Sequence, residues 1–289
     1  MLNSNTSGQV ISPELRQWIV EQLRVPFTPE QILQSMRSSG WQEAVAQAAL
    51  ASTLANLQAQ TTLPGTVNQA GVPVPRASID DAPLYLDAGD KQVAVLQVMT
   101  QPHLVVFGGL LSDDECATLI EAARPRMARS LTVINQTGGE EVHADRTSNG
   151  MFFRLGENDV VAKLEARIAR LLNWPLANGE DLQVLHYQPG AEYKPHYDYF
   201  DPNEPGTPTI LKRGGQRVAT VIVYLGEPEK GGGTTFPNVN LVVAPKRGNA
   251  VFFSYDKPHP STLSLHGGAP VIAGEKWIAT KWLREGIFI

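Results

Sequence analysis

The chain has 289 residues, 42% of them apolar and 18% charged, enough apolar character for a core and enough length for one large domain or two smaller ones. Lysine plus arginine is 24 against 29 aspartate plus glutamate, a net charge of −5, which disfavours a role dominated by nucleic acid, whose binders are strongly basic. Cys116 is the only cysteine, so an intrachain disulfide, a CxxC redox pair and a cysteine-based zinc site are all excluded.

The opening MLNSNTSGQV has no lysine, arginine or long apolar run and does not read as a secretory signal. No stretch approaches the ~18 consecutive apolar residues of a membrane span, and the expected compartment is the cytoplasm. Residues 12–60 read as helical. Ser12-Pro13-Glu14 is a start signal, followed by Leu15, Trp18, Ile19 and Leu23 at helical spacing. Thr28-Pro29-Glu30 repeats the signal before Ile32, Leu33 and Met36; Gly40 ends that helix, and Trp41 opens a third segment to about Gln60. Residues 1–60 are expected to form a small helical appendage, serving packing, a protein partner or self-association. Residues 61–83 hold four prolines and two glycines and read as a linker or extended arm.

From Leu84 onward a further domain is expected. Ser112-Asp113-Asp114-Glu115 is a capping box, with Leu119, Ile120 and Ala123 continuing a helix; Asn158 to Asn173 is a second amphipathic helix. Short β-rich runs follow at LQVLHY from Leu182, VATVIVYL from Val218, NLVV from Asn240, NAVFF from Asn249 and KWIATKWL from Lys276. The pattern predicts a mainly β fold, a jelly roll or barrel with flanking helices. Phe200 to Gly215 reads as a long surface loop, the kind that serves as a lid or binding loop.

There are six histidines, and the patterned one is His196. If residues 192–198 form a strand, His196 and Asp198 face the same side and offer two adjacent metal ligands. His266 is the natural third, with His259 its rival. Two imidazoles and one carboxylate leave open positions, which suits non-haem Fe(II) better than structural zinc. Lys276 comes ten residues later, and Gly274 can turn the chain to bring it beside the metal strand. A buried lysine is costly unless paired, so a cationic pocket end invites a dicarboxylate cosubstrate. His186 alternates with Tyr187 and should face away; His103 and His143 have no patterned partner. Residues 231–233, Gly-Gly-Gly, lack the lysine and following helix of a phosphate cradle.

Taken together, YQPGAEYKPHYD, RVATVIVYL, GGGTTFP, RGNAVFF, SLHGGAPVIAGEKW and ATKWLRE, in that order, resemble the Fe(II)/2-oxoglutarate-dependent dioxygenases of the prolyl 4-hydroxylase type over about residues 100–289. The resemblance implies a double-stranded β-helix, with His196, Asp198 and His266 binding Fe(II). It implies Lys276 on the distal carboxylate of 2-oxoglutarate, Tyr187 and Thr234 hydrogen-bonding that cosubstrate, O2 as second cosubstrate and ascorbate as an auxiliary. Arg146, Ser148, Glu180 and Arg217 match substrate-contacting positions, although supporting salt bridges are the alternative for the two arginines. In one strand over 276–284, Lys276, Thr280, Trp282 and Arg284 share a face, Trp282 and Arg284 joining the substrate set, while Lys281 points away. Gly233 and Arg284 depart from the family, which often has an acidic residue and a histidine there. The implied activity is hydroxylation of an unactivated C–H bond, in proline of a peptide or protein, or alternatively in a free amino acid or small metabolite. A non-catalytic, metal-stabilised interaction module is the reading from another class.

Overall fold

The computed structural model describes residues 29–60, 72–130 and 146–288, together with residues 15, 18, 19 and 22 and the paired strands Thr132–Val133 and Glu140–Glu141. The chain divides into two units, Met1–Ala70 and Gly71–Ile289. In the first, helices Pro29–Ser38 and Glu43–Gln60 form as the start signals predict, with Pro29 at the first helical position. Ile32, Met36, Ala46, Ala49 and Leu50 bury against Leu15 and Ile19, and Trp18 and Trp41 pack on that core. The predicted Ser12 cap and Leu23 lie outside the described residues. Among the described residues, no helix is long and apolar enough to cross a membrane.

The predicted linker divides in two. Residues 61–71 lie outside the described residues, whereas the rest lies along the larger unit as an extended arm. There Val72 N–H donates to Asp256 O (2.9 Å), Arg76 N–H donates to Leu172 O (3.1 Å), and Ala77 joins the core.

Two main antiparallel sheets, beside two two-stranded pairs, build the larger unit among the described residues. The large sheet has nine strands in the order Tyr85–Asp87, Gln92–Met99, His103–Gly108, Ala250–Ser254, Arg217–Gly226, Lys276–Arg284, Leu182–Tyr187, Asn149–Phe153, Ala128–Arg129. The small sheet runs Leu241–Val243, Thr234–Phe236, His266–Gly268, Tyr193–His196. Sequence-distant strands are neighbours in both, giving the expected jelly-roll core with flanking helices.

Period-two alternation decides what each face does. Ala219, Val221 and Val223 face one way, with Ala279 and Leu283 beside them, and bury against Leu119, Val161, Leu164 and Ile168 of the two helices. Ile222, Tyr224, Ile278, Leu185 and Tyr187 face the other way and pack on Phe236 and Val243 of the small sheet. The helices, Asp113–Ala123 and Asp159–Leu171, are fixed at their starts as the sequence predicts. Ser112 and Glu115 exchange reciprocal capping bonds, and Asn158 Oδ1 accepts from the backbone of Val160 and Val161.

Three differences from the sequence pattern matter. Strands Gln92–Met99, His103–Gly108 and Asn149–Phe153 join the large sheet without a matching prediction. The predicted strand 192–198 stops at His196, leaving Asp198 just beyond its end. The loop 200–215 contains a helical turn, Thr207–Ile210, and is closed at its base by Gln216, whose side chain both donates to and accepts from the Phe200 backbone at 2.8 Å.

Candidate active site

His266 and His196 stand directly opposite each other in the small sheet, so strand pairing brings residues seventy positions apart into contact. Their rings are 4.5 Å apart between centroids. Asp198 sits between them: its Oδ1 is 3.6 Å from His196 Nε2 and its Oδ2 is 3.4 Å from His266 Nε2. One ligand atom from each of the three residues can be chosen with all of them within 4.8 Å of one another. Each imidazole is oriented by a local backbone carbonyl. His196 Nδ1 bonds Lys194 O at 2.8 Å and His266 Nδ1 bonds Ser264 O at 3.0 Å, which leaves both Nε2 lone pairs facing Asp198. Burial pushes the His266 ring down to about 4, so it is neutral and able to ligate at neutral pH. Asp198 is held well below the usual carboxylate range in spite of its burial. Two imidazoles and a carboxylate, with room beside them, fit Fe(II) held at three positions with three left open.

Lys276 begins the strand that crosses the same cavity. It is 2% exposed, yet its ammonium makes no hydrogen bond or ion pair among the described residues, and burial pushes its pKa down to about 8. A desolvated cation without a counterion is what an anionic ligand would complete. Room for its stem comes from Gly232, at φ +70°, where a Cβ would come within 3.2 Å of Lys276 Cδ. Tyr187 lies opposite Lys276 in the sheet, with the ammonium 5.2 Å from its ring centre. Thr234 lines the cavity too and accepts from Tyr224 Oη at 2.8 Å. This grouping of a free cation and hydroxyls beside the metal ligands fits 2-oxoglutarate.

The substrate candidates separate into two groups. Arg146 and Trp282 line the cavity. Arg146 donates to Gln183 (2.7 Å) and lies over the Tyr193 ring; the Trp282 indole N–H is buried without a partner among the described residues. Glu180, Arg217 and Arg284 instead pair with one another behind that wall. Arg217 binds both oxygens of Glu180 at 2.6 and 2.9 Å, and Arg284 Nε shares Oε1 at 2.6 Å. Arg217 also stacks on Trp282, 4.0 Å from the ring centre. This is the salt-bridge alternative of the sequence reading, realised for Arg217. Ser148 is fully buried and bonds Ser130 Oγ (3.0 Å), supporting the site rather than lining it.

Strand parity separates the two lysines as expected. Lys281 points to the helix side and meets Glu165 at 2.5 Å, both fully buried. His186 also faces away, stacked on Trp277 and bonded to Glu275. His259 bonds Ser261 on an exposed turn, outside the metal cluster; His103 sits edge-on to Phe252; His143 lies outside the described residues. Cys116 is a buried thiol, pushed up to about 11 by that burial.

Three site residues lie outside the candidates named from the sequence. Tyr193 stacks on His196 at 3.7 Å between ring centres although regular alternation would put it on the opposite face. A register shift between His266↔His196 and Gly268↔Tyr193 reverses the parity. Thr220 and Tyr224 follow ordinary alternation in RVATVIVYL and were open to the parity argument used for residues 276–284.

Comparison with known proteins agrees with this geometry. The family model of the 2OG-Fe(II) oxygenase superfamily matches residues 182–284. Prolyl 4-hydroxylase 5 of Arabidopsis thaliana is 41% identical over 215 residues, covering 67% of this chain and 72% of that protein. Probable prolyl 4-hydroxylase 3 of the same plant is 40% identical over 219 residues, 68% of this chain and 74% of that one. Among solved structures, the 2OG complex of a viral collagen prolyl hydroxylase from Paramecium Bursaria Chlorella virus-1 is 34% identical, with a TM-score of 0.49 over 63% of this chain and 95% of that chain. The chain belongs to the prolyl 4-hydroxylase family of the 2OG-Fe(II) oxygenases.

Proposed function

We propose that this protein hydroxylates proline within a peptide or protein, with 2-oxoglutarate and O2 as cosubstrates. The observation that carries the oxygenase reading is the buried ammonium of Lys276, without an anionic partner among the described residues, in one cavity with His196, Asp198 and His266. The prolyl assignment is supported by the relatives, which are named prolyl 4-hydroxylases. When bound, Fe(II) with 2-oxoglutarate and O2 supplies the oxidising chemistry: 2-oxoglutarate becomes succinate and CO2, and one oxygen atom enters a substrate C–H bond.

The chain supplies placement. His196, Asp198 and His266 hold the metal; Lys276 holds the far carboxylate of 2-oxoglutarate, and Tyr187 and Thr234 orient it by hydrogen bonds. Arg146 and Trp282 stand on the wall open to substrate. Glu180, Arg217 and Arg284 fix Trp282 from behind and tie down the loop 200–215, Arg284 donating to Gly215 O at 2.6 Å. The apolar packing of Leu185, Ile222 and Ile278 around the cavity keeps water away from the reacting groups.

The test is mass spectrometry of proline-rich peptides and of free proline incubated with the enzyme, Fe(II) and 2-oxoglutarate, with succinate measured in parallel. Gain of one oxygen atom on peptidyl proline, matched by succinate, is expected. Oxidation of free proline alone would move the substrate to the small-metabolite class. A protein that releases no succinate under any of these conditions is not an oxygenase.

A further inference from the structure

Asp198 could present either oxygen to a metal, since Oδ1 faces His196 and Oδ2 faces His266 at similar distances. Thr220 removes the ambiguity. It lies in the strand Arg217–Gly226, fully buried, and its hydroxyl donates to Asp198 Oδ2 at 2.6 Å. A carboxylate that binds a cation is ionised and has only acceptors to offer, so the threonine proton must point at Oδ2. Thr220 Oγ1 is then left to accept, and it takes the hydroxyl proton of Tyr255 at 2.9 Å. Tyr255 is itself 2% exposed. The chain therefore has one polarity, from Tyr255 to Thr220 to Oδ2. Arg217 Nη1 donates to the Asp198 backbone carbonyl at 3.5 Å and not to the carboxylate oxygens.

We infer that Thr220 and Tyr255 are positioning residues that commit Asp198 Oδ2 to the protein and leave Oδ1 alone for the metal. The consequence is a coordination count. Three protein donors leave three positions of an octahedron, and the two cosubstrates need all three. If both oxygens of Asp198 turned to the metal, one of those positions would be lost. This rests on the metal centre proposed above and adds to it the pair of residues that keeps the centre open.

The test uses the whole 289-residue chain stripped of metal and titrated with Co(II), whose d–d absorption reports affinity and ligand set without turnover. Thr220→Val, close in shape but without the donor, should weaken Co(II) by about 10–100-fold and change the d–d spectrum, because a second carboxylate oxygen displaces a water from the six-coordinate shell. Thr220→Ser should restore both. Tyr255→Phe removes only the outer donor and should give a smaller loss. Adding it to Thr220→Val should cost nothing more, because the two act in series. A valine variant within twofold of the parent and with the same spectrum overturns the inference while leaving the metal centre standing, as does a serine variant as weak as the valine one. A parent protein that binds no Co(II) overturns the centre and the inference together.

Discussion

Lys276 should make the empty protein less stable than it would be without it. Its ammonium is desolvated, without an anionic partner among the described residues, and depressed from 10.5 to about 8. At 1.36 kcal/mol per pKa unit, that depression is a penalty of about 3 kcal/mol on folding at pH 7. Lys276→Met keeps the length of the side chain and removes the charge. In the absence of metal and 2-oxoglutarate, the variant should unfold in urea with about 3 kcal/mol more stability than the parent, or roughly 6–12 °C higher in Tm. The sign has a pH signature. The folded-state pKa lies below the unfolded one, so the unfolded chain binds more protons between them. The penalty is complete below about pH 8 and fades as pH rises towards 10.5. The advantage of the methionine should therefore shrink to under about 1 kcal/mol by pH 10. With 2-oxoglutarate the order reverses, because only the parent is stabilised by binding it. A methionine variant no more stable than the parent at pH 7, or an advantage independent of pH, refutes the reasoning.

Other outcomes follow from the same geometry. The KM for 2-oxoglutarate should be flat below about pH 8 and rise about tenfold per pH unit above it, as the Lys276 ammonium loses its proton; a flat profile to pH 10 would place the anchor elsewhere. Glu180→Gln leaves Arg217 and Arg284 buried without their shared counter-charge and should cost about 3–5 kcal/mol in urea unfolding; a loss below about 1 kcal/mol would mean the arginines are solvated. His266→Ala should abolish succinate release, whereas His259→Ala, changed on an exposed turn, should leave it intact; the opposite pair of results would reassign the third ligand.

The parts of this site legible in the sequence are those that strand parity or local spacing controls. Lys276 and Lys281 differ by an odd number of residues, and one faces the cofactor cavity while the other meets Glu165. Asp198 joins His196 although the strand ends before it, because two residues of extended chain suffice. What stayed hidden depends on irregularity or on distant pairing. The shift that brings Tyr193 onto His196 has no residue signature in YKPH. Glu180 lies 37 residues from Arg217 and 104 from Arg284, and nothing local tells that the two arginines share this one carboxylate. Strand Gln92–Met99 carries a bulge between Val95 and Gln97 that interrupts its alternation, and His103–Gly108 is a short apolar run that periodicity alone cannot distinguish from a helical segment.

The back-to-back lysines of Lys276–Arg284 have a consequence for assembly. Sliding that strand by one residue between its neighbours would turn Lys281 into the cofactor cavity and drive the Lys276 ammonium in among the leucines of the helix layer, while Glu165 lost its mate. Each face thus carries a charge that only the correct alignment accommodates, so a misthreaded barrel is rejected twice over before any iron arrives.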